Sequence, residues 1–128
     1  MTEQEIKAKK EQIYAIKDEI REREHAISKL EGEIRTHYIE QTEAKYPHIK
    51  RGDKVIVTSK IFYGISGYKT EVSEPLFFAY ARYNRFAYEL SDALIEFVFH
   101  PVKKNGEPSQ REICFYSGSI DKIEKVTE

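Results

Sequence analysis

Isoleucine recurs every seventh residue at the start of this chain, at Ile6, Ile13, Ile20, Ile27 and Ile34. Ile16 and Leu30 follow two of these by three residues. In heptad terms every a position is Ile, and the d positions read Lys9, Ile16, Arg23, Leu30 and His37. A seven-residue apolar repeat draws one narrow seam along a helix, and that seam needs a partner along its length. The first part of the chain is therefore expected to be a long coiled-coil-type helix.

The flanking residues agree. Thr2 followed by Glu5 is a capping-box pattern just ahead of Ile6. No proline interrupts the chain before Pro47. Tyr46-Pro47 is a natural stop, because the residue before proline is pushed out of helical geometry. Gly32 falls at an outward position, where it costs about 1 kcal/mol of propensity without touching the seam. A helix over residues 3–45 would be about 60 Å long. A unit built from the remaining residues is much shorter than that, so it cannot cover the whole seam.

Ile6, Ile13, Ile16, Ile20, Ile27, Leu30 and Ile34 are accordingly assigned to homo-oligomerisation, as a dimer. Lys9, Arg23 and His37 make the seam intermittent. Glu5 with Lys10 would attract across a parallel pair and Glu19 with Glu24 would repel, which leaves the helix direction open. The helix of another protein, or a helix folded back on its own chain, would cover the same residues.

After Pro47 the period changes from 3.5 to 2. All seven Phe and six of the nine Tyr lie beyond it, so apolar burial belongs mainly to the second part. Residues 54–63 read as a β-branched and aromatic strand after the turn Arg51-Gly52-Asp53. Residues 64–67 read as a loop, and 68–73 as a strand with Tyr68, Thr70 and Val72 on one face. Residues 76–83 form a near-continuous apolar run that suits a strand or a short buried helix. Asn84-Arg85 would turn into a strand over 86–90. Residues 94–102 would place Ile95, Phe97 and Phe99 on one face. Asn105-Gly106 is the strongest hairpin signal in the chain. Residues 111–116 return with Ile113 and Phe115 inward, and 120–126 close the run.

The expected fold is α+β: an oligomerisation helix over 1–47 and a small antiparallel β-barrel over 48–128. The segments 52–57 and 120–126 resemble the first and last strands of SH3-like barrels. That resemblance implies a fold and no function.

The candidate chemistry is sparse. The charges are nearly balanced, with a net charge of −1, so neither part has a basic nucleic-acid footprint. A single cysteine, Cys114, rules out an intrachain disulfide and fits a reducing compartment. Cys114 should point away from the Ile113 and Phe115 face. His25, His37, His48 and His100 show no metal-ligand spacing. The tripeptide Arg51-Gly52-Asp53 reads as a strand-entry turn. The first residues carry no secretory signal and no run approaches about 20 apolar residues, so a cytoplasmic protein with no membrane contact is expected. No cofactor, metal or enzymatic activity is expected.

One stretch stands out as a binding face, the aromatic and basic run over 77–88. If Phe78, Tyr80 and Arg82 share one side of a strand, then Phe77, Ala79, Ala81 and Tyr83 share the other. Tyr80, Arg82, Tyr83, Arg85 and Tyr88 are the candidate binding residues, with Lys103 and Lys104 at the hairpin tip. Exposed Tyr and Arg suit protein hot spots. They also suit base stacking and phosphate contact. The expected function is a non-enzymatic, oligomeric protein-binding adaptor or inhibitor, of a kind that suits a phage or mobile-element accessory protein. The alternative is a nucleic-acid-binding barrel.

Overall fold

The computed structural model describes residues 1–84 and 90–127. One helix, α1 (Glu3–Ala44), precedes an antiparallel sheet that has six strands among the described residues. These are β1 (Lys54–Phe62), β2 (Tyr68–Val72), β3 (Leu76–Tyr83), β4 (Ile95–Pro101), β5 (Ile113–Tyr116) and β6 (Ile120–Lys125). The architecture is α+β. The chain divides into two compact units, Met1–Ile34 and Arg35–Glu128. That division falls inside α1 rather than at Pro47.

In the first unit the capping box forms. The Thr2 hydroxyl accepts from the Glu5 N–H at 3.2 Å, and the Thr2 N–H donates to the Glu5 carboxylate at 3.4 Å. Two orphan donors at the helix start are thereby satisfied. Glu3 and Glu5 place negative charge in the first turn, which the helix dipole favours.

The second unit begins with the last turns of α1 because their side chains belong to the β core. Tyr38 and Ile39 pack against it, and Thr42 is almost fully buried, its hydroxyl donating to the Tyr38 carbonyl at 2.7 Å. Tyr46, just past the helix, meets Phe97 edge-on at 5.5 Å between ring centroids. The centre of the core is Val55 and Val57 of β1, Phe78 of β3 and Phe97 and Phe99 of β4. Ile120 and Ile123 of β6 close it. Ile95, Phe97 and Phe99 share the inner face as their spacing requires, and Ile113 and Phe115 of β5 pack beside them.

β1 is the organising strand. It pairs with β6 along one side and, along the other, with β3 at its start and β2 at its end. β3 then pairs with β4, and β4 with β5. No β5–β6 ladder exists among the described residues, so the hydrogen-bonded circuit does not close.

The run 76–83 is a strand, and a bulge explains why its period was unreadable. Phe78 faces Phe99 and Tyr80 faces Val98, so Ala79 is an extra residue without a counterpart in β4. A bulge resets which side chains share a face. Phe78 and Ala81 are therefore both buried, and Tyr83 packs on the same core. The expected grouping of Phe78 with Tyr80 and Arg82 is corrected: Phe78 points inward, whereas Tyr80 and Arg82 lie on the outer face.

Beyond its two-residue pairing with β1, the free edge of β3 is satisfied by other means. The Phe78 N–H donates to the Asp53 carbonyl at 2.9 Å, and the Gly52 N–H donates to the Phe78 carbonyl at 2.7 Å. The Ala81 N–H donates to the Glu43 carboxylate at 2.9 Å, and Arg51 donates to the same oxygen at 2.9 Å. Gly52 holds this close approach with φ +94°, which a side chain would resist.

The Asn105-Gly106 hairpin forms. The Gly106 N–H donates to the Lys103 carbonyl at 2.9 Å, with Gly106 at φ +87°. The strand expected over 86–90 lies outside the described residues except for Leu90, which belongs to neither helix nor strand.

Replacing Glu43 by Ala removes the acceptor of the Ala81 N–H and one partner of Arg51. The expected loss is about 1–3 kcal/mol of stability, measured by urea denaturation. An unchanged midpoint would show that this carboxylate does not secure the β3 edge.

Candidate functional site

The outer face of β3, β4 and β5 carries two of the residues that the sequence singled out, Tyr80 and Arg82, and both are engaged with neighbours there. Across the ladder Tyr80, Val98 and Cys114 stand in one row, and Arg82, Glu96 and Tyr116 in the next. Arg82 is the hub. Its Nε lies 2.8 Å from a Glu96 carboxylate oxygen, and one terminal nitrogen lies 3.5 Å from Glu112. Its other terminal nitrogen reaches the Cys114 sulfur at 3.4 Å. Tyr80 donates to Glu112 at 3.1 Å, and Asn84 donates to the Tyr116 hydroxyl at 2.9 Å and to Glu96 at 3.3 Å. Val98 is fully buried although it lies on this outer row.

The electrostatic consequence is clear. The Glu96 side chain is only 9% exposed and that of Arg82 35%. The hydrogen bond to Glu96 holds the guanidinium well above its ordinary pKa, against an opposing desolvation. A cation held between two carboxylates is a structural cross-strand link more than a phosphate receptor. Partial burial pushes the Cys114 thiol up, the Glu96 charge pushes it further, and the Arg82 guanidinium opposes both. The net direction is upward, away from the lowered pKa of an activated thiol.

The other candidate residues are dispersed. Tyr83 faces the core side, where the Arg35 guanidinium lies 5.7 Å from its ring centre. Arg85 and Tyr88 lie outside the described residues. Lys103 and Lys104 are exposed at the far end of β4. Lys103 is seven residues from Glu96, about 20 Å at the usual strand rise, so the hairpin tip and Arg82 do not form one anion patch. Arg111 lines a groove of about 800 Å³ with Leu76, Val102, Ile113, Phe115 and Val126. His48 and His100 each bond a backbone carbonyl, of Ile123 at 2.8 Å and of Arg111 at 2.9 Å. Among the described residues no group of three His, Cys, Asp or Glu is arranged to hold a metal ion. Among the same residues no helix is long and apolar enough to cross a membrane.

Two exposed apolar surfaces stand out among the described residues. The first is the stripe of the Met1–Ile34 unit, where Ile6, Ile13, Ile16, Ile20, Ile27, Leu30 and Ile34 are 39–59% exposed. The second is the β1–β2 hairpin, which the sequence reading passed over. Phe62 and Tyr68 are cross-strand partners with ring centroids 5.1 Å apart, and Val72 continues their face. Ile65 projects fully into solvent from the loop between them, and all of β2 is exposed. Residues 60–69 hold Lys60 and Lys69 and no carboxylate. The legible signal was Ile61-Phe62-Tyr63, where both faces of a strand are apolar and only one can reach the core.

No family model matches this chain, and neither the curated proteins nor the solved structures contain a significant match.

The thiol supplies a pH test. Alkylation of Cys114 by iodoacetamide should be slower at pH 7 than that of a free cysteine, with a midpoint above the usual thiol range. Removing the opposing cation in Arg82→Met should move that midpoint higher still. Rapid alkylation at pH 7 would contradict the placement of the sulfur.

Proposed function

We propose that the protein is a non-enzymatic, self-associating adaptor or inhibitor that binds another protein. Two copies join through a coiled coil of their N-terminal helices, and each carries a partly open SH3-like barrel. The observation that carries this reading is the exposed heptad stripe over residues 6–34. Contiguous apolar surface of that length on one chain marks an interaction site, and the heptad spacing suits a second helix. The barrel reading is supported by the sharing of β1 between β6 and the β2–β3 pair. It is also supported by the 3₁₀ turn Ser117–Ser119 that leads into β6.

The β1–β2 hairpin is the surface this reading assigns to the partner protein. Its apolar side chains are large, exposed and framed by lysines, which is the composition of protein hot spots with a polar rim. Nucleic acid is the weaker reading, because Arg82 already has its carboxylates and the net charge is −1. Linking two copies raises the effective concentration of the second on a repeated or symmetric target, which gives the helix a purpose.

Light scattering should give twice the 15.1 kDa chain mass, and Ile13→Asp with Ile27→Asp should reduce it to one. The tagged chain should retain a stoichiometric protein partner from its native host after nuclease. Ile65→Asp with Tyr68→Ser should lose that partner while remaining folded, since exposed substitutions usually stay within about 0.5 kcal/mol. A monomeric native chain, or a partner that nuclease removes, would overturn the proposal.

A further inference from the structure

We infer that the stripe pairs with the stripe of a second copy running antiparallel, in the register that sets Lys17 opposite Glu24 of that copy. This rests on the self-association reading above and adds the direction and register that the heptad alone leaves open.

The d positions supply the first argument. A parallel, in-register pair stacks each d residue on its own copy. Lys9 would then meet Lys9, and Arg23 would meet Arg23, across an apolar seam. Like charges in such layers are costly because desolvation adds to repulsion. In an antiparallel pair a positions face d positions. With core residues whose numbers total 43 placed opposite one another, Ile13 meets Leu30 and Ile27 meets Ile16 of the second copy. Ile20 then meets Arg23, and Ile34 meets Lys9. Each cation lies against an isoleucine and escapes to the edge with its stem on apolar surface. Arg23 is already placed for this, its guanidinium 2.9 Å from Glu19 of its own helix.

The flanking charges supply the second argument. The e positions are Lys10, Lys17, Glu24 and Glu31. In an antiparallel pair e residues face e residues. The same register puts Lys10 against Glu31 and Lys17 against Glu24, twice each by symmetry. All four edge pairs are attractive. The g positions meet as Gln12 with Glu33 and Glu19 with Ala26 along the stripe, and as Glu5 with Glu40 beyond its end, the one like-charged pair in this register. The parallel alternative offers Glu5 with Lys10 and sets Glu19 against Glu24. The order Lys-Lys-Glu-Glu along one edge is self-complementary only when one helix is reversed.

Glu24→Lys with Glu31→Lys separates the two directions, because it makes the e edge all lysine. Antiparallel pairing then has four repulsive edge pairs. The dissociation constant, read by sedimentation on the full chain, should rise at least about tenfold on the scale of exposed ion pairs. Lys10→Glu with Lys17→Glu should weaken self-association in the same way. An equimolar mixture of the two variants should dimerise again, which also shows that both are folded. In a parallel pair Glu24→Lys would instead turn the repulsion between Glu19 and position 24 into an attraction. A lysine variant that associates as tightly as the native chain, or more tightly, would overturn the antiparallel register and leave self-association standing. A monomeric native chain would overturn the reading on which the register rests.

Discussion

The hydrogen bond from the Ala81 N–H to the Glu43 carboxylate is the interaction that ties the end of α1 to the open edge of β3. The bulge at Ala79 brings Phe78 and Ala81 onto one buried face, and β1 pairs with β3 only at Lys54 and Val55, which leaves part of the β3 edge without a strand beside it. An unpaired edge must be covered or it becomes a template for association. Glu43 at the end of α1, together with the turn at Gly52 and Asp53, supplies that cover. The last turns of α1 are thereby committed to the core, through Tyr38, Ile39 and Thr42.

That commitment divides the helix by use. Residues after Ile34 bury their apolar side chains within their own unit. Residues 6–34 keep the same heptad spacing with no core of their own, and their isoleucines stay exposed. The outer face of β3, β4 and β5 resolves differently. There Arg82, Glu96 and Glu112 satisfy one another, so a row that reads as sticky in sequence is largely closed in the fold. Among the described residues the stripe and the β1–β2 hairpin keep large apolar side chains exposed.

Much of this was legible in the residues. The capping box at Thr2, the stop at Tyr46-Pro47, the strands around Val55, Phe97 and Phe115 and the Asn105-Gly106 hairpin follow from local chemistry, which the tertiary structure left in place. The bulge was not legible. A run such as Phe77-Phe78-Ala79-Tyr80 looks the same with or without an extra residue, and the partner strand decides which face each side chain takes. The quenching of Arg82 was hidden for a similar reason, since Glu96 and Glu112 are neighbours only through the ladder. The exposed hairpin was missed because Phe62 and Tyr68 fit a buried strand equally well by composition. The commitment of residues 35–44 to the core was hidden because Tyr38 and Ile39 sit within an unbroken helical pattern.

The most direct test of the paired seam is a distance between two copies. With Cys114 replaced by Ser and a spin label on a cysteine at position 7, double electron–electron resonance reports the separation of the labels in the associated chain. The antiparallel register places them about 40 Å apart, from the rise of the helix over the intervening residues. A separation below about 20 Å, as side-by-side parallel helices would give, or the absence of any dipolar signal, would contradict the account.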